Sequence, residues 1–224
     1  MPVIVTSRYG TIRIPPGISD LTAFRRWVHF ADLPEKLPVH FLRGDVWVDC
    51  ERADSLVNVL IRGELVATLA SLVKVDRGGI YATAGMLWTN DAAGIATLPD
   101  GFFISRHSLK TRRVRFSNGG NPKAQATEVV GTPDVVIEIV SDVSEEKDTD
   151  WLMSAYHQAG VPEYWVIDAR KARPRFHIHK HGKKAFATVR KEAGWVRSAA
   201  FGKSFRLTQS TDAHSYPRFT LEVR

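Results

Sequence analysis

The sequence predicts a mixed β-sheet with helices on its faces, and three patterns carry that prediction. The runs PDVVIEIV (133–140) and EYWVID (163–168) enclose a helical pattern, which reads as a β–α–β step with a right-handed crossover. Ahead of that step, IYATAGMLWT (80–89) and GIATLPDGFFIS (94–105) read as strands of an antiparallel meander, turned by NDAAG. A helical stretch at 54–74 precedes the meander, so helices and strands alternate as in a layered α/β domain.

Taken in chain order, residues 1–36 read as irregular, with a turn at Pro15-Pro16-Gly17. VHFLRGDVWVD (39–49) reads as a hairpin around Arg43-Gly44-Asp45. In the first helix Leu56, Val59, Val66, Ala70 and Val73 follow helical spacing. Asp54 or Ser55 can cap its start, and Gly78-Gly79 ends the unit. Residues 106–128 read as an exposed excursion whose flanks can form a ribbon around Asn118-Gly119-Gly120-Asn121. The second helix presents Leu152, Ala155, Tyr156 and Ala159 on one side, and Gly160 and Pro162 stop it. RFHIHK (175–180) is a further strand, and residues 186–224 read as short strands around SAAFGKSFRL. The expected organisation is an N-terminal extension (1–38), a core (39–185) and C-terminal β segments packed on that core (186–224).

The 224 residues, 44% hydrophobic and 25% charged, suit one soluble globular domain. One cysteine, Cys50, rules out a disulfide within the chain and fits a reducing compartment. The N-terminus lacks a signal-peptide pattern, and no apolar run approaches the roughly 20 residues of a membrane helix. The expectation is a cytoplasmic protein with no membrane partner. A net charge of +7 and a pI near 9.7 favour a polyanion as partner.

One acid interrupts the most apolar strand. Alternation places Asp134, Val136, Glu138 and Val140 on one face and Val135, Ile137 and Ile139 on the other. Asp134 and Glu138 lie roughly 13 Å apart along a strand, too far to share an ion. Glu138 therefore needs a partner from another strand. Asp100, entered through Pro99, is the best candidate. Two such carboxylates make a hard oxygen site suited to Mg²⁺ or Mn²⁺, to which the Ile139 carbonyl could add a ligand. The alternative makes Asp100 a turn residue and Glu138 a paired structural charge.

TPDVVIEIVSD, KDT and YHQAGVPEYWVIDA, with the earlier LPDGFFIS and WVD…IRGELVATL, resemble the Uma-two family of restriction-endonuclease-like proteins within the PD-(D/E)XK nuclease superfamily. The similarity covers roughly residues 39–168, and SAAFGKSFRL is similar to one bacterial subgroup. The resemblance implies a restriction-endonuclease-like α/β fold and Mg²⁺-dependent cleavage of DNA. It matches Asp100 and Glu138 to the metal site and Glu64 to an auxiliary acid that touches the metal or its water. An exposed helix charge is the other reading of Glu64. The superfamily lysine two residues after the glutamate is Val140 here, and the helix position many relatives use instead is Leu152. Lys147 is the nearest lysine, either swinging back over the strand end or solvated beside Glu145, Glu146 and Asp148. The rival function is a non-catalytic DNA-binding or assembly protein on the same fold, with an RNA phosphodiesterase as a third option. Cutting both strands would suggest a homodimer.

His177, His179 and His181 alternate as metal ligands or, preferably, as a polar strand face. Basic clusters at 106–115, 170–184 and 190–197 fit phosphate contacts. The sequence has no G-x-S-x-G elbow for a serine hydrolase and no phosphate-cradling glycine loop.

Overall fold

A computed structural model describes all residues except 8, 35–36, 51–54, 77, 84, 121–122, 124, 142–149 and 172. The N-terminal region is more regular than its sequence suggests. β1 (Val3–Ser7) and β2 (Gly10–Ile14) pair antiparallel, and α1 (Leu21–Phe30) follows. Asp20 caps α1 by accepting the Ala23 N–H at 2.8 Å, and Leu21 and Phe24 enter a cluster with Ile12, Leu37 and Phe41. These elements are short and only partly buried, with Ile12, Leu21 and Phe24 alone fully inside.

β3 (Val39–Leu42) and β4 (Asp45–Val48) form the expected hairpin. Its two central residues, Arg43 and Gly44, have φ of 58° and 87°, which suits the twist of a two-residue turn. The long helix comprises α2 (Leu56–Leu65), a π-helical segment over Val66–Ala70, and α3 (Ser71–Asp76). Ser55 caps it through the Asn58 N–H.

The buried row of this helix is Ile61, Leu65, Leu69 and Val73, whereas Leu56, Val59, Val66 and Ala70 are exposed. The expected face is therefore corrected in four of its five residues. The helix is apolar on two sides, so periodicity alone offers two faces, and docking on the sheet chooses between them. The same double apolarity gives an 18-residue window of Leu56–Asp76 a mean hydropathy of 1.7, so by length and composition the helix could cross a membrane, contrary to the sequence reading. Here one row of its side chains packs on the sheet, and both Arg62 and Glu64 make contacts within the fold.

Each long strand of the expected meander is two strands. They are β5 (Gly79–Thr83) and β6 (Leu87–Asn90), then β7 (Ile95–Thr97) and β8 (Gly101–Ser105). The chain changes sheet near Gly85 and again at Pro99, so the mixed α/β fold that the sequence predicts carries two six-stranded sheets among the described residues. α4 (Arg106–Lys110), β9 (Val114–Ser117) and β10 (Glu128–Gly131) follow, and β9 and β10 form the expected antiparallel ribbon. Next come β11 (Val135–Ile139), α5 (Leu152–Gln158), β12 (Glu163–Asp168), β13 (Arg175–Lys180) and β14 (Ala187–Thr188). β15 (Val196–Ser198), β16 (Lys203–Thr211) and β17 (Pro217–Val223) make a small sheet.

The two larger sheets run β4-β3-β7-β6-β10-β9 and β14-β13-β12-β11-β8-β5. β11 and β12 are parallel, as the β–α–β reading requires. Val135, Ile137 and Ile139 pack with the α2 row. Val136 and Val140 pack with Leu152 and Tyr156 of α5. This sheet thus has a helix on each face, and its central strand is buried on both sides.

Candidate functional site

β8 and β11 run antiparallel with Val135 opposite Phe103 and Ile137 opposite Gly101. One further step along that register sets Asp100 across from Glu138. The Asp100 carboxylate stands where the next rung of the ladder would be. Its Oδ2 accepts the Ile139 N–H at 2.8 Å, and its Oδ1 accepts Arg62 Nη2 at 2.7 Å. The Thr83 hydroxyl donates to the Asp100 carbonyl and fixes the strand entry. The Arg62 and Asp100 side chains keep 25% and 18% of their surface, so the ion pair lies at the rim of the sheet.

Glu138 is buried at 6% exposure, and its Oε1 accepts the Tyr156 hydroxyl at 2.6 Å. That hydroxyl also lies 3.2 Å from Thr97 Oγ1. Burial first, and then the charge of Glu138, push the Tyr156 phenol well above its ordinary pKa, so it remains a donor. The buried acid of β11 is thus met by a phenol from α5, and its neighbour Asp100 by a guanidinium from α2.

Tyr81 of β5 completes the surroundings. Its hydroxyl is buried and has no hydrogen-bond partner among the described residues. A Cβ on Gly101 would come within 2.9 Å of that oxygen, so glycine there admits the phenol. Burial, then the Asp100 charge, raise the Tyr81 pKa well above its ordinary value, with Arg62 opposing.

Two carboxylates from adjacent strands could contribute oxygen ligands to a hard divalent cation, and the charge of one of them acts on the orphaned Tyr81 hydroxyl. Among the described residues no group of three or more His, Cys, Asp or Glu side chains gathers around one point. The remaining ligands would be main-chain oxygen, water or a phosphate oxygen.

The other sequence-named residues are distributed as follows. Ile139 meets Asp100 through its N–H. Glu64 is on the same helix as Arg62 but two residues on, about 200° around the axis. Its Oε1 accepts the Leu221 N–H at 2.8 Å and so holds β17. Lys147 lies outside the described residues. Leu152 is buried at the start of α5.

Asp134 accepts from the Ser105 N–H, the Ser108 hydroxyl and Arg113, tying β11 to the start of α4. His177 and His179 share one face of β13, while His181 stacks on His157 with ring centroids 4.1 Å apart. Burial lowers the His179 pKa to about 4, helped by His177.

Arg62 and Tyr81 are the site residues that sequence reasoning missed. A lone arginine in the apolar run LVNVLIRGEL was the available signal, but its partner is 38 positions away.

The family model described as "Putative restriction endonuclease", Uma2, matches residues 27–210. The chain belongs to the Uma2 family. Among solved structures, a "putative nuclease belonging to DUF820" from Anabaena variabilis aligns with a TM-score of 0.59 at 15% identity. The alignment covers 82% of this chain and 90% of that one. At that identity the likeness shows a shared fold. No curated protein matches the chain.

Two other acids of this Uma2 chain are fully enclosed. Glu128 of β10 meets Arg25 through both carboxylate oxygens, at 2.7 and 2.9 Å, and accepts the Thr89 hydroxyl at 2.6 Å. His29 Nε2 lies 3.2 Å from its Oε2. Glu163 of β12 accepts from Trp165 Nε1, the Ser198 hydroxyl and the N–H groups of Ala199 and Ala200. It thereby joins GVPEYWVID to SAAF, two of the tracts that carry the family resemblance. In the basic clusters Arg113 and Arg170 are tied to Asp134 and Asp168, whereas Arg106, Lys110, Arg112, Arg115, Lys183, Lys184, Arg190 and Arg197 are exposed.

Proposed function

We propose that this Uma2 protein is a metal-dependent endonuclease that hydrolyses phosphodiester bonds in DNA. The observation that carries the reading is the register that sets Asp100 opposite Glu138 at a partly open strand end. Asp100 and Glu138, with the Ile139 carbonyl, would hold Mg²⁺ or Mn²⁺. Such an ion would supply a lowered water pKa and polarisation of the phosphate. In the hydrolysis proposed, a water oxygen bonds to phosphorus, one ester P–O bond breaks, and a water proton ends on the departing oxygen. Tyr156 holds Glu138 in place by donating to it.

Lys147 is the lysine assigned to the developing charge. An auxiliary role for Glu64 requires its release from the Leu221 amide. Exposed arginines and lysines of the three basic clusters supply the phosphate contacts, and cleavage of both strands would suggest a homodimer. Val140 and Leu152, at the two positions where a lysine is expected, favour a second reading. In that reading the protein binds DNA without cutting it.

Titration calorimetry with Mn²⁺ tests the centre. Wild type is expected to bind one ion, and an Asp100→Ala/Glu138→Ala double variant to bind none. Equal binding by both would remove the metal site. The accompanying DNA affinity is expected to fall steeply with salt, with a log–log slope of several units. A flat dependence would remove nucleic acid as the partner.

A further inference from the structure

We infer that Arg62 is a catalytic residue of this site, a guanidinium that leaves Asp100 when a divalent cation binds there and then grips the scissile phosphate. The inference rests on the nuclease reading and adds a residue to it.

Four observations converge on Arg62. Its Nη2 lies 2.7 Å from Asp100 Oδ1, on one of the two carboxylates of the proposed centre. The strand position two after Glu138 is Val140, so β11 offers no cation of its own there. The Arg62 side chain is 25% exposed and Asp100 18%, so the pair lies within reach of a ligand approaching from solvent. The Tyr81 hydroxyl, buried beside Gly101 in the fields of both Asp100 and Arg62, lacks a partner among the described residues. A phosphate oxygen held by Arg62 would bring that hydroxyl an acceptor.

The physical case depends on what guanidinium does well. It stays charged at any working pH, and its planar fork matches two non-bridging phosphate oxygens at once. Hydrolysis builds negative charge on those oxygens, so a preorganised fork acts most strongly in the transition state. While on Asp100, the same group neutralises a carboxylate that would otherwise sit beside Glu138 uncompensated. A divalent cation and Arg62 therefore compete for Asp100 Oδ1. A purely structural Arg62, one that merely holds Asp100 in position, would help metal binding instead.

That difference in sign is the test. Full-length wild type, Arg62→Gln, Arg62→Lys and Arg62→Ala are titrated with Mn²⁺ alone and assayed for Mg²⁺-dependent cleavage of duplex DNA, with thermal unfolding as a check on folding. Arg62→Gln is expected to bind Mn²⁺ several-fold more tightly than wild type while cleaving about 10²–10³-fold more slowly. Arg62→Lys should fall between the two. Millimolar guanidinium should restore part of the activity of Arg62→Ala. Weaker Mn²⁺ binding in Arg62→Gln, with no rescue, would make Arg62 a structural clamp and overturn the inference. Cleavage by Arg62→Gln at the wild-type rate would overturn it as well. Wild type that fails to cut DNA with any divalent cation sinks the nuclease reading and the catalytic role with it. In that case the Mn²⁺ titration still decides whether Arg62 and a cation share Asp100.

Discussion

Glu128 and Asp100 are each met by an arginine reaching in from a helix, yet the two carboxylates are finished differently. Glu128 has no exposed surface and is held by Arg25, Thr89 and His29 together. Asp100 keeps part of its surface, has Arg62 on one oxygen and the Ile139 amide on the other, and stands at a strand end. Breaking the Glu128 cluster would leave a buried charge, so it behaves as a lock between α1 and β10. The Asp100 pair keeps part of its surface in contact with solvent. A carboxylate enclosed by protein donors fixes the fold, and one paired at a rim is within reach of a ligand from solvent.

The largest stability effect is expected at the lock. Glu128→Ala should cost about 3 kcal/mol in denaturant unfolding, at the lower end for a broken buried pair because Arg25 keeps some contact with water. The same cluster sets an acid limit. Burial alone would raise the Glu128 pKa, but hydrogen bonds from Arg25 and Thr89 and the Arg25 charge outweigh it. They hold the carboxyl below its ordinary 4.5. The unfolded chain therefore takes up that proton first. The contribution is complete above about pH 4.5 and is lost as the pH falls through the lower folded value. Glu128→Gln should flatten this part of the stability–pH curve, and an unchanged curve would place the acid sensitivity elsewhere.

Glu163→Gln comes next, at about 1–3 kcal/mol, because the amide oxygen can serve only one of the two donor pairs, Ala199 and Ala200 N–H or Trp165 Nε1 and Ser198, and its NH2 faces the other. Limited proteolysis should then cut first around residues 196–203. The smallest effect is expected at the site. Glu138→Gln keeps an acceptor for Tyr156 and removes one of two neighbouring carboxylate charges, so stability should stay within about 0.5 kcal/mol or rise. DNA cleavage should be lost in the same variant. A loss of stability as large as that of Glu128→Ala would make Glu138 a lock too and end the comparison.

These differences mark what could be read in the sequence. β11 and β12 were legible because short runs rich in β-branched and aromatic residues, bounded by turn residues, favour strands. The acid inside β11 and the proline before Asp100 pointed to the carboxylate pair without any geometry. The face of α2 was misread because Leu56, Val59 and Val66 repeat as regularly as Ile61, Leu65 and Leu69, and only the sheet discriminates. Arg62 and Arg25 escaped notice because their partners lie 38 and 103 positions away, beyond any local period. The N-terminal strands are half-exposed, so their alternation is weak.

The clasp between Glu163 and residues 198–200 has a consequence for the order of events at the ribosome. Ser198 is made 35 residues after Glu163, a delay of roughly 2–7 s at ordinary elongation rates. Through that interval β12 carries a carboxylate of whose donors only Trp165 Nε1 has been made. The sheet around β11 can collapse early, but it cannot be sealed until the SAAF tract arrives. A pause or frameshift between these two tracts would strand a half-built core with an acid short of donors in its second strand, a species suited to capture by chaperones or proteases.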